Sequence, residues 1–360
     1  MSPRSLSDVP KVIDLLERLP LLRTWRLLHA DDPEYPHRSF IVEFAGMPKA
    51  GKSSAIENVR HFFSHSHGTR RWKNKEEWIS LRYEVHTPAE GVSLRTPAIL
   101  RDNRIDFNAW AGAYGLQELI RAGHDGFNDM AVLDRGPWDA GCWLRLWSST
   151  DATDDELDSL VSFFHLKKWM TRADLHVVLL VDPDHAATRE REHRLIEHGG
   201  FSSNEAKMSA LRAIYEDKFQ ALRAVKNAAC PEVKDRSTLM LDTSEHSSTE
   251  AAAVIIDAIL NVLEAKVEVR AKNLKRSPTE LKNRLDNYWR RMKPEARRAA
   301  NDFLKESFVP TLNSLEPWRR LVLINRLEQL AMPEAIAEAR VPADEVINTL
   351  RTELQEVQTL

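Results

Sequence analysis

The stretch FAGMPKAGKSS, Phe44 to Ser54, constrains this chain more than any other. Its core, Gly46 to Ser53, has the G-x-x-x-x-G-K-S spacing of a phosphate-binding loop. Eight residues alone carry little weight, so the flanks decide. Before the loop, RSFIVEFAG is a short apolar run that predicts a buried strand ending at Gly46. After it, SSAIENVRHFF has helical spacing, with Ile56, Val59 and Phe63 on one side. Strand, glycine loop and helix are the arrangement a polyphosphate needs. Backbone N–H groups and the helix N-terminus surround the phosphate, Lys52 reaches its outer oxygens and Ser53 ligates magnesium. The candidate cradle is Gly46, Met47, Pro48, Lys49, Ala50, Gly51, Lys52, Ser53 and Ser54. The bland alternative, a glycine turn before an ordinary helix, does not account for the full context.

Such a site also needs an acidic group for the metal, and three apolar runs end in one: MAVLDRG at Asp134, LHVVLLVDPD at Asp182 and STLMLDTSE at Asp242. Helical segments between them indicate alternating βα units and a parallel sheet. Asp134 stands out because Arg135 follows it, placing a metal-binding carboxylate beside a guanidinium able to grip phosphate oxygens bidentately. The competing reading of Asp134-Arg135 is a strand-end salt bridge. For Asp182 and Asp242, strand ends and turns suffice. Downstream, DPDHAATREREHR reads as a helix opened by Asp182-Pro183-Asp184 and carrying Arg189, Arg191 and Arg194. These arginines either close over the polyphosphate or pair with Glu190 and Glu192 on a solvated face.

In their order, IVEFAGMPKAGKSS, VLDRGPWDA, LHVVLLVDPDHAATRERE and LMLDTSE resemble the thymidylate kinase and deoxynucleoside kinase branch of the phosphate-loop kinases, over roughly residues 38 to 265. The resemblance implies a three-layer αβα core with a five-stranded parallel sheet, ATP and Mg2+ as cofactors, and transfer of the γ-phosphate to a nucleoside or nucleoside monophosphate. It gives Lys52 and Ser53 the phosphate and metal roles. Asp134 and Arg135 match the Asp-Arg motif, and Arg189, Arg191 or Arg194 the lid.

The chain departs from that family between residues 79 and 110. Its relatives place a carboxylate just after the second strand. Here the candidate strand WISLRYEVHT is followed by PAEG, making Glu90 the first choice for general base or substrate anchor and Glu84, inside the strand, the reserve. A loop glutamate that merely solvates a turn is the competing reading of Glu90. Arg95, Arg101 and Arg104 precede Phe107 and Trp110, so arginines for an acceptor phosphate and aromatics for a base are candidates. Against this, Phe107, Trp110 and Leu116 at helical spacing suit a buried stripe better. Asp139 either orients substrate or caps a helix, the commoner use. His61, His65 and His67 lack a second ligand cluster, so no histidine metal site is expected.

Three units are expected: an N-terminal helical extension over 1–35, a kinase-like domain over 36–268 and an α-helical C-terminal module over 269–360. The stretch VIDLLERLPLLRTWRLLHA is interrupted by Arg18, Pro20, Arg23 and Arg26 and reads as a broken amphipathic helix, not a membrane span or leader. Two cysteines, Cys142 and Cys230, make no disulfide framework, which suits a reducing cytoplasm. A net charge of -3 gives no global attraction to nucleic acid or membrane. Residues 265–306 are locally basic, and AIAEARVPADEVINTL has a faint helix-turn-helix pattern with Arg340 where the turn favours glycine. Packing or homo-oligomerisation is the expected role of these extensions, ahead of nucleic-acid binding. Two competing functions stay open: a nucleotide-operated regulator of the C-terminal helices, and a kinase of another small metabolite.

Overall fold

The computed structural model describes residues 38–65, 67–72, 75–80, 83–88, 103–124, 128–147, 152–192 and 204–273, with residues 302 and 304–315 and isolated positions in the first 25 and last 38 residues. Over 67–72, 75–80 and 270–273, and at 304, 305, 309 and 312, the backbone alone is described.

Seven strands and eight helices carry the argument: β1 (Phe40–Gly46), α1 (Lys52–His65), β2 (His67–Trp72), β3 (Lys75–Ser80), β4 (Val85–His86), α2 (Arg104–His124), β5 (Met130–Asp134), α3 (Pro137–Leu146), α4 (Asp154–Phe164), α5 (Lys167–Met170), β6 (Leu175–Leu180), α6 (Pro183–Glu192), α7 (Glu205–Ala229), β7 (Thr238–Asp242) and α8 (Ser248–Asn273). Five strands form one parallel sheet in the order β4-β5-β1-β6-β7. Every residue of β1 is buried, as both faces of a central parallel strand must be, which explains its near-continuous apolar run. Alternate residues divide between two helical layers. Val42 and Phe44 join the cluster containing Ile56, Val59 and Phe63 of α1 and Ile255 and Ile259 of α8. Ile41 packs with Ala131 and Leu133 of β5 and Leu116 and Leu119 of α2. The expected three-layer αβα fold with a five-stranded parallel sheet is the one observed.

One strand differs from expectation. The run read as the second strand, WISLRYEVHT, does not enter the sheet as a unit: β3 pairs antiparallel with β2 as a separate hairpin, and only Val85 and His86 pair with β5. HGTRRW and KEEWIS carry adjacent charged residues, which a strand covered on both faces cannot accommodate.

The described residues of both flanks join the central core. Leu15, Leu21, Leu22 and Trp25 lie in the main buried cluster, and Arg18 donates to Asp257 (2.9 Å) and Asn261 (2.7 Å) of α8. Phe308, Leu315, Leu323, Leu350 and Leu354 belong to the same cluster. Helix α8 runs through the boundary expected at residue 268. Most of the basic segment and the helix-turn-helix-like stretch lie outside the described residues. Among the described residues, no helix is long and apolar enough to cross a membrane.

Candidate functional site

Numbering only the five sheet strands along the chain, their order is 2-3-1-4-5. The chain leaves β1 toward one edge and β6 toward the other, so their carboxyl ends flank a switch point, where ligands of open α/β sheets bind. The Gly46–Ser53 loop stands there. Gly46 has φ 137°, and a Cβ on it would lie 2.1 Å from the Leu179 carbonyl oxygen, so only glycine lets β1 pass β6 at this point. Met47 N–H donates to that same carbonyl at 3.0 Å. Lys49 (φ 62°) and Gly51 (φ 81°) are also left-handed, which bends the loop into the first turn of α1. The Lys52 ammonium lies 3.4 Å from both the Gly46 and Met47 carbonyls, drawn in over the loop. Ser53 and Ser54 are exposed on the first turn of α1.

Asp134 ends β5 alongside Phe44 of β1, on the strand against which α1 packs. Its Oδ1 is buried and accepts no hydrogen bond. A buried carboxylate oxygen without a donor is costly unless something cationic meets it. Among the described residues no group of three or more His, Cys, Asp or Glu is placed to cage a metal. One hydroxyl and one carboxylate, completed by phosphate oxygens and water, is the donor set that Mg2+ takes in nucleotide sites. Ser53 and Asp134 fit that requirement. The His61 and His65 rings stack on each other with centroids 4.8 Å apart.

Arg135 follows with φ 65°, a strained conformation for a non-glycine residue. Its N–H donates to the Phe44 carbonyl at 2.9 Å, its guanidinium stacks over Trp143 at 5.2 Å, and Nη1 donates to Asp139 Oδ2 at 2.8 Å. Burial works against its charge, but Asp139, Tyr215 and Asp134 outweigh that and hold its pKa above the ordinary arginine value. Space for this turn comes from two glycines. A Cβ on Gly136 would stand 2.2 Å from the Glu43 carboxyl carbon, and one on Gly115 of α2 would stand 2.8 Å from the Arg135 carbonyl oxygen. Glu43, fully buried on β1, accepts the Trp138 N–H at 3.2 Å and faces His176 Nε2 at 3.4 Å.

Asp139 does not cap α3. The capping position is Gly136, without a side-chain cap, and the buried Asp139 carboxylate points back to the loop instead. Its Oδ1 accepts from Gly46 N–H (3.0 Å) and Tyr215 O–H (2.6 Å).

Of the two described arginines of α6, Arg189 is the one that reaches the loop. Its Nη1 donates to the Lys49 carbonyl at 3.0 Å and its Nη2 to the Thr243 carbonyl at 2.6 Å, while neighbouring Glu190 pairs with Lys49 at 3.0 Å. These contacts fasten α6 to the phosphate loop and to the turn after β7; among the described residues Glu190 pairs with the loop lysine and not with Arg189 or Arg191. Arg191 stays on the outer face, donating to Ala187 and Thr188 of its own helix. Arg194 lies outside the described residues.

The acceptor candidates separate. Glu84 is corrected: it immediately precedes β4, whose Val85 is level with Met130 of β5 and, through it, with Phe40 at the start of β1. That is the amino end of the sheet, roughly 20 Å along the strand direction from the loop. Its backbone bonds with Asp129 instead, accepting from Asp129 N–H at 2.8 Å and donating to Asp129 Oδ2 at 2.8 Å. The stripe expected from Phe107, Trp110 and Leu116 is corrected too: α2 buries Ile105, Asn108, Gly112, Leu116 and Leu119, while Phe107 is half-buried and Trp110 is 43% exposed. Arg104 stacks over Trp147 at 5.6 Å, as does Lys207 at 4.8 Å. Glu90, Arg95 and Arg101 lie outside the described residues. Asp182 accepts the Asp184 N–H at 2.9 Å and opens α6, whereas Asp242 pairs with Arg212 at 2.7 Å and accepts from Ser244.

Sequence reasoning missed Tyr215 and Thr243. Tyr215 sits in the apolar stripe Met208, Leu211, Tyr215, Phe219, Leu222 of α7; a hydroxyl in an otherwise apolar row was its signal.

A glycine loop after the central strand of a 2-3-1-4-5 parallel sheet, with an aspartate ending the adjacent strand, defines a phosphate-loop nucleotide-binding architecture. No protein-family model matches the sequence, and no curated protein matches it. Among solved structures the chain is similar to thymidylate kinase from Candida albicans, at 10% identity over 62% of this chain and 94% of that one, with a TM-score of 0.39.

Proposed function

We propose that the protein is an ATP-dependent phosphotransferase that moves the γ-phosphate to a nucleoside or nucleoside monophosphate. The observation that carries this reading is the unpartnered, buried Asp134 Oδ1 on the strand beside the Gly46–Ser53 loop, followed at once by Arg135. In the proposed reaction, the loop's N–H groups and the α1 N-terminus bind the donor phosphates. Lys52, released from the Gly46 and Met47 carbonyls, meets the charge that grows on the transferring oxygens. Ser53 and Asp134 would hold Mg2+, which supplies neutralisation of the phosphate charge when bound. Arg135, beside Asp134, would grip an oxygen of the transferring group or of a phosphorylated acceptor.

The test is a panel of nucleosides, nucleoside monophosphates and other small alcohols incubated with ATP and Mg2+. ADP release that depends on a nucleoside or its monophosphate supports the proposal. Release with another alcohol alone moves the assignment to a small-metabolite kinase. Hydrolysis or binding indifferent to every acceptor overturns it in favour of a nucleotide-operated regulator.

A further inference from the structure

The three polar partners of Asp139 come from three separate parts of the chain. Gly46 is the last residue of β1, Arg135 belongs to the strained turn after β5, and Tyr215 lies in the middle of α7. Oδ1 accepts the Gly46 N–H (3.0 Å) and the Tyr215 O–H (2.6 Å), and Oδ2 accepts Arg135 Nη1 (2.8 Å). Tyr215 Oη is also 3.2 Å from the Gly46 carbonyl, so both the N–H and the carbonyl of Gly46 are within reach of the pair. Asp139 and Tyr215 are fully buried, and Arg135 Nη1 supplies the charge opposite the carboxylate. A buried carboxylate with all its donors in place is rigid, and losing any donor would be expensive. The carboxylate therefore sets the distance between the phosphate loop and the guanidinium.

We propose that Asp139, braced by Tyr215, is a positioning residue that couples the first residue of the phosphate loop to Arg135. Arg135 is the group that meets phosphate; Asp139 acts through it and through Gly46. This rests on the phosphotransferase reading for its kinetic consequence but not for its binding consequence. In transfer, donor and acceptor oxygens must be in line, and a displacement of about 1 Å costs about 100-fold in rate. Breaking the Oδ2 contact lets the Arg135 fork swing while the loop keeps its place. Breaking the Oδ1 contacts lets the loop itself move.

Asp139→Asn separates these two effects. Its amide oxygen replaces Oδ1 toward Gly46 and Tyr215, while its NH2 faces Arg135 donor to donor. Expected is a fall in kcat of about 30-fold or more, with the dissociation constant for ADP within about threefold of the parent. In a double-mutant cycle with Arg135→Ala, Asp139→Asn should cost less than about threefold further, because its effect runs through Arg135. Tyr215→Phe, which keeps the ring in its cavity, should instead weaken ADP binding at least threefold.

Multiplicative losses in the cycle, or a parental kcat in Asp139→Asn, overturn the coupling to Arg135. Unchanged ADP affinity in Tyr215→Phe overturns the coupling to the loop. If the parent protein transfers no phosphate to any acceptor, the functional reading fails, and the inference is decided by ADP binding alone: weakened by Tyr215→Phe it stands for the loop, unchanged it falls. Should Asp139→Asn fail to fold, Tyr215→Phe carries the test.

Discussion

Gly46 and Leu179 approach so closely that the Leu179 carbonyl oxygen occupies the space a side chain on residue 46 would need, 2.1 Å from an ideal Cβ. Met47 N–H closes the contact by donating to the same oxygen. Because Leu179 sits in the fully buried β6, the obstruction cannot swing aside. Gly46→Ala should therefore displace the loop and lose on the order of 3 kcal/mol of stability through combined backbone strain and overpacking. Gly51→Ala keeps open space around its Cβ and bears only the strain of φ 81°, so it should cost clearly less. Urea unfolding of the two variants checks the ranking, and equal losses would refute the contact as the cause.

Lys52 and its two carbonyl partners give the second prediction. The Lys52 ammonium turns to the loop carbonyls rather than into the apolar core, so Lys52→Ala should leave the protein folded. Turnover should fall by about 100-fold or more, as when a transition-state contact is lost. Near-normal turnover in a folded variant would remove this loop from the chemistry.

The three strand-end aspartates behave differently in the structure and should do so in solution. Asp134 Oδ1 has no donor, whereas Asp242 is held by Arg212 and Ser244. Burial raises the Asp242 pKa, but the Ser244 and Arg212 bonds outweigh it and leave the net value below the ordinary one. Asp134→Asn should raise the Mg2+ concentration needed for half-maximal activity. Asp182→Asn and Asp242→Asn should act on stability, the latter losing the contribution that its depressed pKa makes above the ordinary carboxylate value and that the parent loses as pH falls. A magnesium titration showing the same shift in all three would contradict the assignment.

A buried cluster behind the sheet sets the pH dependence. Lys226 of α7 donates to the Met170 and Ala173 carbonyls, and burial, joined by repulsion from Lys266, depresses its pKa to about 7. Between about 7 and the ordinary lysine value near ~10.4, the unfolded chain holds the extra proton. Stability should therefore climb with pH across that window, by up to about 1.4 kcal/mol per pH unit from this group. Asp174 works at the other end. Burial alone would raise it, but Arg38 and Lys266 bring its pKa down to about 2, so its contribution is present above the ordinary carboxylate value near ~3.9 and lost as pH falls toward 2. Denaturant unfolding from pH 7 to 10 should show a rising midpoint in the parent and a flatter one in Lys226→Met. Parallel curves would exclude Lys226 as the source.

What was legible in the sequence follows contact range. Lys52 and Ser53 are fixed by the loop they belong to, and Asp134-Arg135 by the end of an apolar run, so a local pattern suffices for them. The Asp139–Tyr215 bond joins residues 76 positions apart, and the Arg189 contacts with Thr243 join residues 54 apart; neither leaves a periodic trace. The helix-capping expectation for Asp139 failed because the carboxylate finds a buried backbone N–H in the loop, a partner that exists only once β1 and α3 are packed. Glu84 was misplaced for a related reason. Which part of an apolar stretch enters a sheet depends on what its neighbours leave open, and here the edge strand shrinks to Val85 and His86.

That edge strand makes the acceptor site testable by contrast. A hydroxyl acceptor needs a base or an orienting carboxylate at the carboxyl end of the sheet, within hydrogen-bond reach of the transferred phosphate. Glu84 is at the amino end, with its backbone engaged by Asp129, so Glu84→Gln should leave transfer at the parental rate. Glu90, outside the described residues, comes four residues after the end of β4 in the sequence. Glu90→Gln should keep ATP affinity, since the donor is bound by the loop, and lower acceptor-dependent transfer by about 100-fold, the upper range for a positioned proton acceptor being about 10,000-fold. ATP affinity by calorimetry and transfer by ADP release measure the two separately. If Glu84→Gln loses transfer while Glu90→Gln does not, the assignment of Glu90 as the acceptor carboxylate is overturned in favour of Glu84. If neither variant loses transfer, the proton is taken elsewhere, and the acceptor site must be sought around Arg104, Phe107 and Trp110.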